Sequence, residues 1–398
     1  MILPDDAAVL AAASAFAPTL RAGAEERDAT AALPYRELEQ LAATGLLGLR
    51  VPRELGGAGV STATVAEVFR VLSAADPAVG QIPQNHVAFV DLVLRAGTPA
   101  QREFFAAEFL AGARLGNALS ERGTTTSRAY RTRILPRGDD YVVNGTKYYS
   151  TGALTAQWIP VFGLDELDEV SVAYVRRDTP GVDVDQDWNA FGQRATFSGT
   201  TRLTDVVVPA AHVLRRPFRV VAGTTFSAFG QIIHAAIEVG IARGALTDGV
   251  AFLRDKARPA HGSGYDRAVD DPHLVRLAGE LEIDVRAAEA LLVSAARAVD
   301  DADAAGAGAD AQAAPDRVTH ARLEVAAAKA FAGRVALDVA TRLFDFSGSS
   351  AADRRHDLDR HWRNARTHTL HDPARLKELA LGTFLVTGEG PDPANTLI

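Results

Sequence analysis

The chain has 398 residues, 47% of them hydrophobic, with no cysteine and a formal net charge of −8. That length supports a large core and two or three domains, and the missing cysteines exclude disulfides, thiolate metal sites, iron–sulfur clusters and cysteine nucleophiles. The acidic balance argues against nucleic acid, no apolar run approaches a membrane span, and Asp5–Asp6 without a basic flank argues against a signal peptide, so a cytoplasmic protein with no nucleic-acid or membrane partner is expected.

Residues 1–115 read as a helical domain. Leu38, Leu41, Leu46 and Leu47 recur at helix-face spacings, with Gly45 or Gly48 as the stop, and VPRELGGAGVS is a glycine-rich break. Thr62 to Ala75 is a second amphipathic helix, ended by Asp76-Pro77. QNHVAFVDLVLRAG is apolar all round except for Asn85, His86 and Asp91, which predicts a buried helix. His86 is then either a hydrogen-bonded core imidazole or a ring reaching a cavity.

Near Leu115 the hydrophobic period changes from helical to alternating. RTRILPRGDDYVVNGTKYYSTGA reads as strand, turn and strand, and WIPVFG, EVSVAYVRR, GVDVDQDW and TTRLTDVVVP continue the pattern. The expectation is an antiparallel β-domain over 116–213. No strand–helix–strand alternation and no GxGxxG after a strand is found, so no nicotinamide-dinucleotide site is expected.

Residues 214–398 read as a helical bundle. Three long segments, from Ile232, Leu274 and Arg317, are expected as amphipathic bundle helices, with residues 301–316 as a flexible acidic loop between the second and third. The stretch RHWRNARTHTLHDP, Arg360 to Pro373, is the richest in chemistry. On a helix, His361, Asn364, Ala365, His368 and His371 share one side, and Arg363, Arg366 and Leu370 the other. It is either a solvated helix end or a site that points imidazoles inward and guanidiniums at carboxylates or phosphates. His368 and His371 with Asp372 lack a further ligand at comfortable spacing for zinc, so no metal is expected.

Four motifs in order carry a family resemblance. GNALSER (Gly116 to Arg122), NGTKYYSTGA (Asn144 to Ala153), FGQRATFSGTTRLTDVVVP (Phe191 to Pro209) and LDRHWRNARTHTL (Leu358 to Leu370) resemble segments of the acyl-CoA dehydrogenase superfamily. The resemblance implies a mainly α fold with a central β-domain: an N-terminal helical domain, an antiparallel β-barrel-like domain and a C-terminal four-helix bundle. A dehydrogenase of this family needs a carboxylate base. At one usual position the chain has Leu370-His371-Asp372-Pro373, and at the other, in the first long bundle helix, Glu238 is the only candidate. WRNARTHTLHDP, YYSTGA and the KARP…GYDRA…DDP run (Lys256 to Pro272) instead resemble the flavin-dependent monooxygenase branch, which includes dibenzothiophene monooxygenase, indole hydroxylases and amine N-hydroxylases.

By that resemblance the chain takes reduced flavin, FMN or FAD, from a separate NAD(P)H:flavin reductase. With O2 it forms a C4a-hydroperoxyflavin that oxygenates a small aromatic substrate, a thiophene-type sulfur or an indole carbon. An acyl-CoA dehydrogenase with a relocated base and an amine N-hydroxylase are the alternatives. The implied catalytic residues are Asn117, Ser150, His86, His368 and His371. Leu119, Ser120 and Thr151 join Asn117 and Ser150 at the flavin ring. Arg258 and the Ser347-Gly348-Ser349-Ser350 turn are implied for the flavin phosphate, although Arg258 could form a surface ion pair instead. Phe89, Tyr148 and Trp188 are implied as substrate-pocket walls, with core packing the competing reading. The superfamily's tail site straddles subunits, which implies a homotetramer, a dimer of dimers.

Overall fold

The computed structural model describes residues 1–126, 129–307 and 314–398. Six helices come first: α1 (Asp6–Arg21), α2 (Ala24–Thr30), α3 (Tyr35–Thr44), α4 (Thr62–Ala75), α5 (Pro77–Ala96) and α6 (Pro99–Leu110). Their ends follow local chemistry. Gly45, at φ +86°, ends α3, the Ser61 hydroxyl accepts from Thr64 N to start α4, and Asp76 accepts from Ala78 N and Val79 N to start α5. As expected, α5 is buried over most of its length, from Pro77 to Val93.

Seven strands follow: β1 (Arg133–Arg137), β2 (Asp140–Lys147), β3 (Trp158–Leu164), β4 (Val170–Arg176), β5 (Val182–Val184), β6 (Thr201–Pro209) and β7 (Val213–Leu214). They form one sheet in the order β5-β6-β2-β1-β3-β4-β7. The expected antiparallel pairing needs one correction: β1 meets β3 in parallel at Arg133 and Leu164. The cause is connectivity, because β1 and β2 form a hairpin and the chain re-enters the sheet on the far side of β1. The sheet wraps one apolar interior that includes Ile134, Val143, Val161, Ala173, Val206 and Val213. In β6 the alternation breaks at Asp205 (φ +50°), where Asn144 and Asp205 exchange two hydrogen bonds at 2.8 and 3.0 Å across a bulge.

The C-terminal helices are α7 (Pro217–Val221), α8 (Phe226–Asp255), α9 (Pro272–Ala307), α10 (Ala314–Ser347), α11 (Arg360–Thr369) and α12 (Ala374–Thr387). The expectation that α8 is amphipathic is overturned. From Ala228 to Leu246 it is buried except at Gly230 and the half-buried Arg243, because α4 covers one side and α10 another. A Cβ on Gly240 or Gly244 would lie 2.6 Å from the Arg70 carbonyl oxygen or 2.7 Å from that of Ala74, so the two glycines let α4 close on α8.

The expected acidic loop is also corrected. Residues 301–307 continue α9, 314–316 start α10, and 308–313 lie outside the described residues. The acidic side chains in this region have structural partners. The Asp300 carboxylate accepts from Thr62 N and Ala63 N, capping α4, and Asp303 pairs with Arg95 at 3.0 Å. No single helix among the described residues is long and apolar enough to cross a membrane.

Candidate active site

The segments 116–122 and 144–153 lie side by side. Tyr148 N donates to the Ser120 carbonyl at 2.8 Å, and Lys147 crosses beneath, donating to the Leu119 carbonyl at 3.1 Å and to Glu121 at 2.7 Å. Burial pulls the Lys147 ammonium down to about 8, against the opposing pull of Glu121. Asn117 Nδ2 donates to the Tyr149 carbonyl at 3.1 Å, which leaves Asn117 Oδ1 buried without a protein partner. Ser150 is fully buried. Its amide donates to the Gly199 carbonyl at 3.0 Å, and its Oγ has no partner. Both atoms call for water or a ligand to satisfy them, and they lie in adjoining segments.

The loop 188–199 joins this cradle to α11. Thr151 Oγ1, Ser198 Oγ and Thr196 Oγ1 form a hydroxyl chain with spacings of 2.7 and 2.8 Å, and Thr196 Oγ1 donates to the Gln193 carbonyl. Gln193 N then donates to Asn364 Oδ1 at 2.6 Å, and Trp188 Nε1 donates to the Gln193 carbonyl at 2.9 Å. A Cβ on Gly192 would lie 1.9 Å from the Arg363 carbonyl oxygen, so only glycine allows this approach. Gln193 is 2% exposed, and both polar atoms of its side-chain amide lack partners.

On α11 the inward face holds His361, Asn364, Ala365 and His368, as the spacing predicts, together with Arg360, which the spacing reading did not include. The outward Arg363 binds the carboxylates of Asp28, Asp357 and Asp359 at 2.6–2.8 Å. His361 bonds Asp248 at 2.9 Å and is structural. The helix ends at Thr369, so His371 sits in the following turn and not on the helix face. Its ring stacks on that of His234, with centroids 4.1 Å apart.

His234 and Lys329 were not anticipated, and they complete a buried chain. Glu238 is 1% exposed; one oxygen of its carboxylate accepts from Lys329 Nζ and bonds His368 Nδ1 at 3.0 Å, while His368 Nε2 bonds His234 Nδ1 at 3.2 Å. Burial would raise the Glu238 carboxyl, but the Lys329 ammonium and the His368 bond outweigh it and hold the group below its usual range. Burial lowers both imidazoles, which keeps them neutral near pH 7. Asp372 is likewise buried and paired with Lys377.

Several expected site residues lie elsewhere. Leu115 N donates to His86 Nδ1 at 3.1 Å, so His86 Nε2 donates to the Leu47 carbonyl at 2.8 Å. Both nitrogens are occupied by backbone, and burial pulls the ring down to about 4. His86 is therefore a core crosslink, not a group facing a cavity. Phe89 is 6% exposed and packs on Phe162 inside the apolar cluster between α5 and the sheet. The Tyr148 ring is covered by the Arg122 guanidinium, 3.2 Å from its centroid. Part of the adjoining loop, Ser127 and Arg128, lies outside the described residues. Trp188 is half-buried and meets Tyr149 edge-on at 5.9 Å. Tyr149, 53% exposed at φ +58°, is the more open aromatic, and its polar motif context concealed it. The Ser347 hydroxyl is turned inward to the Gly249 carbonyl, while Gly348, at φ +77°, and Ser349 are open. Arg258 is exposed.

Acyl-CoA dehydrogenase family models match in chain order: the N-terminal domain at residues 4–113, the middle domain at 116–206 and the C-terminal domain at 232–375. Dibenzothiophene monooxygenase of Rhodococcus erythropolis is 33% identical over 99% of this chain and 98% of its own length. The chain belongs to the acyl-CoA dehydrogenase family, in its flavin-dependent monooxygenase branch. A probable FMNH2-dependent monooxygenase, SfnC, of Pseudomonas putida is 29% identical over 97% of this chain and 96% of its own. Among solved structures, FMN-bound TdsC from Paenibacillus sp. A11-2 superposes with a TM-score of 0.88 at 30% identity, covering 97% of this chain and 98% of that one. Its complex with FMN and indole gives 0.87 at 29% identity with the same coverage.

Within the acyl-CoA dehydrogenase family, dehydrogenation requires a poised carboxylate. The two candidate carboxylates, Glu238 in the first long bundle helix and Asp372 after α11, are here buried in lysine ion pairs. The monooxygenase branch requires a flavin, and the orphaned Asn117 Oδ1 and Ser150 Oγ fit one, since an isoalloxazine edge offers both donors and acceptors.

Proposed function

We propose that this chain is the oxygenase component of a two-component system. It takes reduced FMN from a separate NAD(P)H:flavin reductase and oxygenates a small aromatic heterocycle, at a thiophene-type sulfur or an indole carbon. The flavin, when bound, supplies the two electrons that activate O2: one oxygen atom enters the product and the other leaves as water. The observation that carries the reading is the pairing of Glu238 with Lys329 and of Asp372 with Lys377. Neither carboxylate is free to take an α-proton from an acyl thioester.

The chain's own groups have separable roles in this reading. Ser150 Oγ is a donor to the ring or to its oxygen, and Asn117 Oδ1, with its amide nitrogen already engaged, is an acceptor for a ring N–H. Leu119, Ser120 and Thr151 flank that edge through the 116–122 and 144–153 segments. Arg258, Gly348 and Ser349 remain the candidates for the phosphate, on an exposed turn whose Gly348 N–H already donates to the Phe344 carbonyl at 3.1 Å. Tyr149 and Trp188 form an aromatic rim for a flat substrate. His371 is the imidazole on the open side of the histidine cluster. Exposed apolar side chains on α9 (Val275, Ile283, Val293) and α12 (Leu379, Phe384, Leu385, Val386) support a homotetramer.

The test combines the protein with a flavin reductase, NADH, FMN or FAD, and a panel of thiophenes, indoles and amines under ¹⁸O2. One labelled oxygen in a thiophene or indole product is expected. Bleaching of oxidised flavin by an acyl-CoA without O2 would instead establish a dehydrogenase and overturn the reading.

A further inference from the structure

The buried chain of His234, His368, Glu238 and Lys329 has a direction set by hydrogen-bond chemistry. The Glu238 carboxylate accepts only, so His368 must donate from Nδ1. A neutral His368 then has a lone pair on Nε2, so His234 must donate from its own Nδ1 across the 3.2 Å contact. The tautomers of both rings are thus dictated from the ion pair outward, as when a second group fixes the tautomer of a working imidazole. His234 keeps its lone pair on Nε2 and offers its π face to His371, at 4.1 Å between centroids and 27° between planes.

A cluster of this kind is not needed for packing. Buried ion pairs are often replaced by apolar side chains without loss of stability, and α8 is otherwise apolar around this point. What the cluster achieves is a held, neutral aromatic ring beneath the one imidazole that faces outward. Two stacked rings at 4.1 Å cannot both be cations without strong repulsion, whereas a neutral ring favours a cation on its face. Among the described residues, the charged and titratable groups around His234 are Glu238 on α8, Lys329 on α10, His368 on α11, His371, and Lys377 with Asp372 near the start of α12. Each lysine is paired with a carboxylate, and both ammoniums, with burial, hold the His234 ring down and neutral.

We propose that His234 is a positioning residue for His371: its ring, locked in one tautomer by the Lys329–Glu238–His368 chain, orients His371 and presents a neutral π face to it. The inference rests on the monooxygenase reading for the use made of His371, but the stack can be tested without turnover.

The experiment uses the flavin-free full chain carrying ¹³C,¹⁵N-labelled histidine, with His371→Gln, His368→Gln and His234→Phe used to assign signals. Expected are Nδ1–H tautomers at His234 and His368, with His371 protonated before either of these two buried rings as pH falls. His234→Phe keeps a neutral ring and should leave the His371 midpoint in place. His234→Leu removes the π face and should lower it by roughly half a unit to one unit. In the reductase-coupled assay, His234→Leu should raise the ratio of released peroxide to product severalfold, and His234→Phe should restore much of the coupling. An Nε2–H tautomer at His234, titration of His234 in place of His371, or a His234→Leu chain with unchanged midpoint and coupling would overturn the proposal. A wild-type chain that transfers no oxygen to any heterocycle would refute the function and leave the tautomer and titration results to decide the stack.

Discussion

Lys329→Met isolates the ion pair on which both the functional reading and the histidine chain depend. Glu238 and Lys329 are 1% and 4% exposed, and the second carboxylate oxygen of Glu238 already lacks a partner. Without the ammonium, only the His368 bond at 3.0 Å remains. Breaking one side of a buried pair costs about 3–5 kcal/mol because the other charge is left behind, a large part of the roughly 5–15 kcal/mol that holds a domain together. The loss should depend on pH. With burial opposed only by the His368 bond, the folded pKa of Glu238 should rise above its unfolded value of about 4.3. A carboxyl raised in the folded state contributes stability below its unfolded pKa and loses it as pH climbs through the folded value. The deficit against wild type should therefore be larger near pH 8 than near pH 5. Lys329→Met with Glu238→Gln removes both charges and should recover most of the loss. Urea unfolding midpoints of the three proteins at the two pH values provide the test. A single variant as stable as wild type at pH 8, or a double variant no better than the single, would refute the claim that Glu238 is a buried, lysine-held carboxylate.

Three further outcomes are expected. Ser150→Ala and Asn117→Ala should each raise peroxide release at the expense of product in the reductase-coupled assay, with about 2–4 kcal/mol lost from oxygen transfer; intact coupling in both would remove them from the site. His86, at about 4 in the fold against 6.5 ordinarily, makes the unfolded chain the first to bind a proton as pH falls. Wild-type stability should then decline between those values by roughly 3 kcal/mol from this group. His86→Leu should show a shallower acid slope from a lower starting stability, since the Leu47 carbonyl and Leu115 N–H lose their partner. Gly192→Val forces a Cβ into the Arg363 carbonyl and should push the 188–199 loop off α11. Weakened FMN binding by fluorescence titration, with helix content by circular dichroism unchanged, is the expected signature.

Much of the architecture was legible locally. Thr62 to Ala75 is a helix because Ser61 caps it and Asp76-Pro77 ends it, and both signals lie within a turn of the element. The alternation in β6 shows as buried Thr201, Leu203, Val206 and Val208, apart from the one-residue shift at Asp205 that no pattern announced. The motifs around Asn117 and Ser150 named two short backbone segments, and the fold sets those segments side by side. Other features were set by partners far along the chain. His234 sits in an apolar run that reads as bundle core, and its bonded partner His368 lies 134 residues on. His86 was ambiguous until Leu47 and Leu115 were seen to occupy both of its nitrogens. Residues 301–307 read as loop from their small and acidic composition, yet Asp303 is held by Arg95 of α5. Caps, turns and periodicity act over a few residues, so the order of residues alone determined the elements and the family motifs. Which buried charge meets which imidazole depends on how α8, α10 and α11 pack, and only the assembled fold decided that.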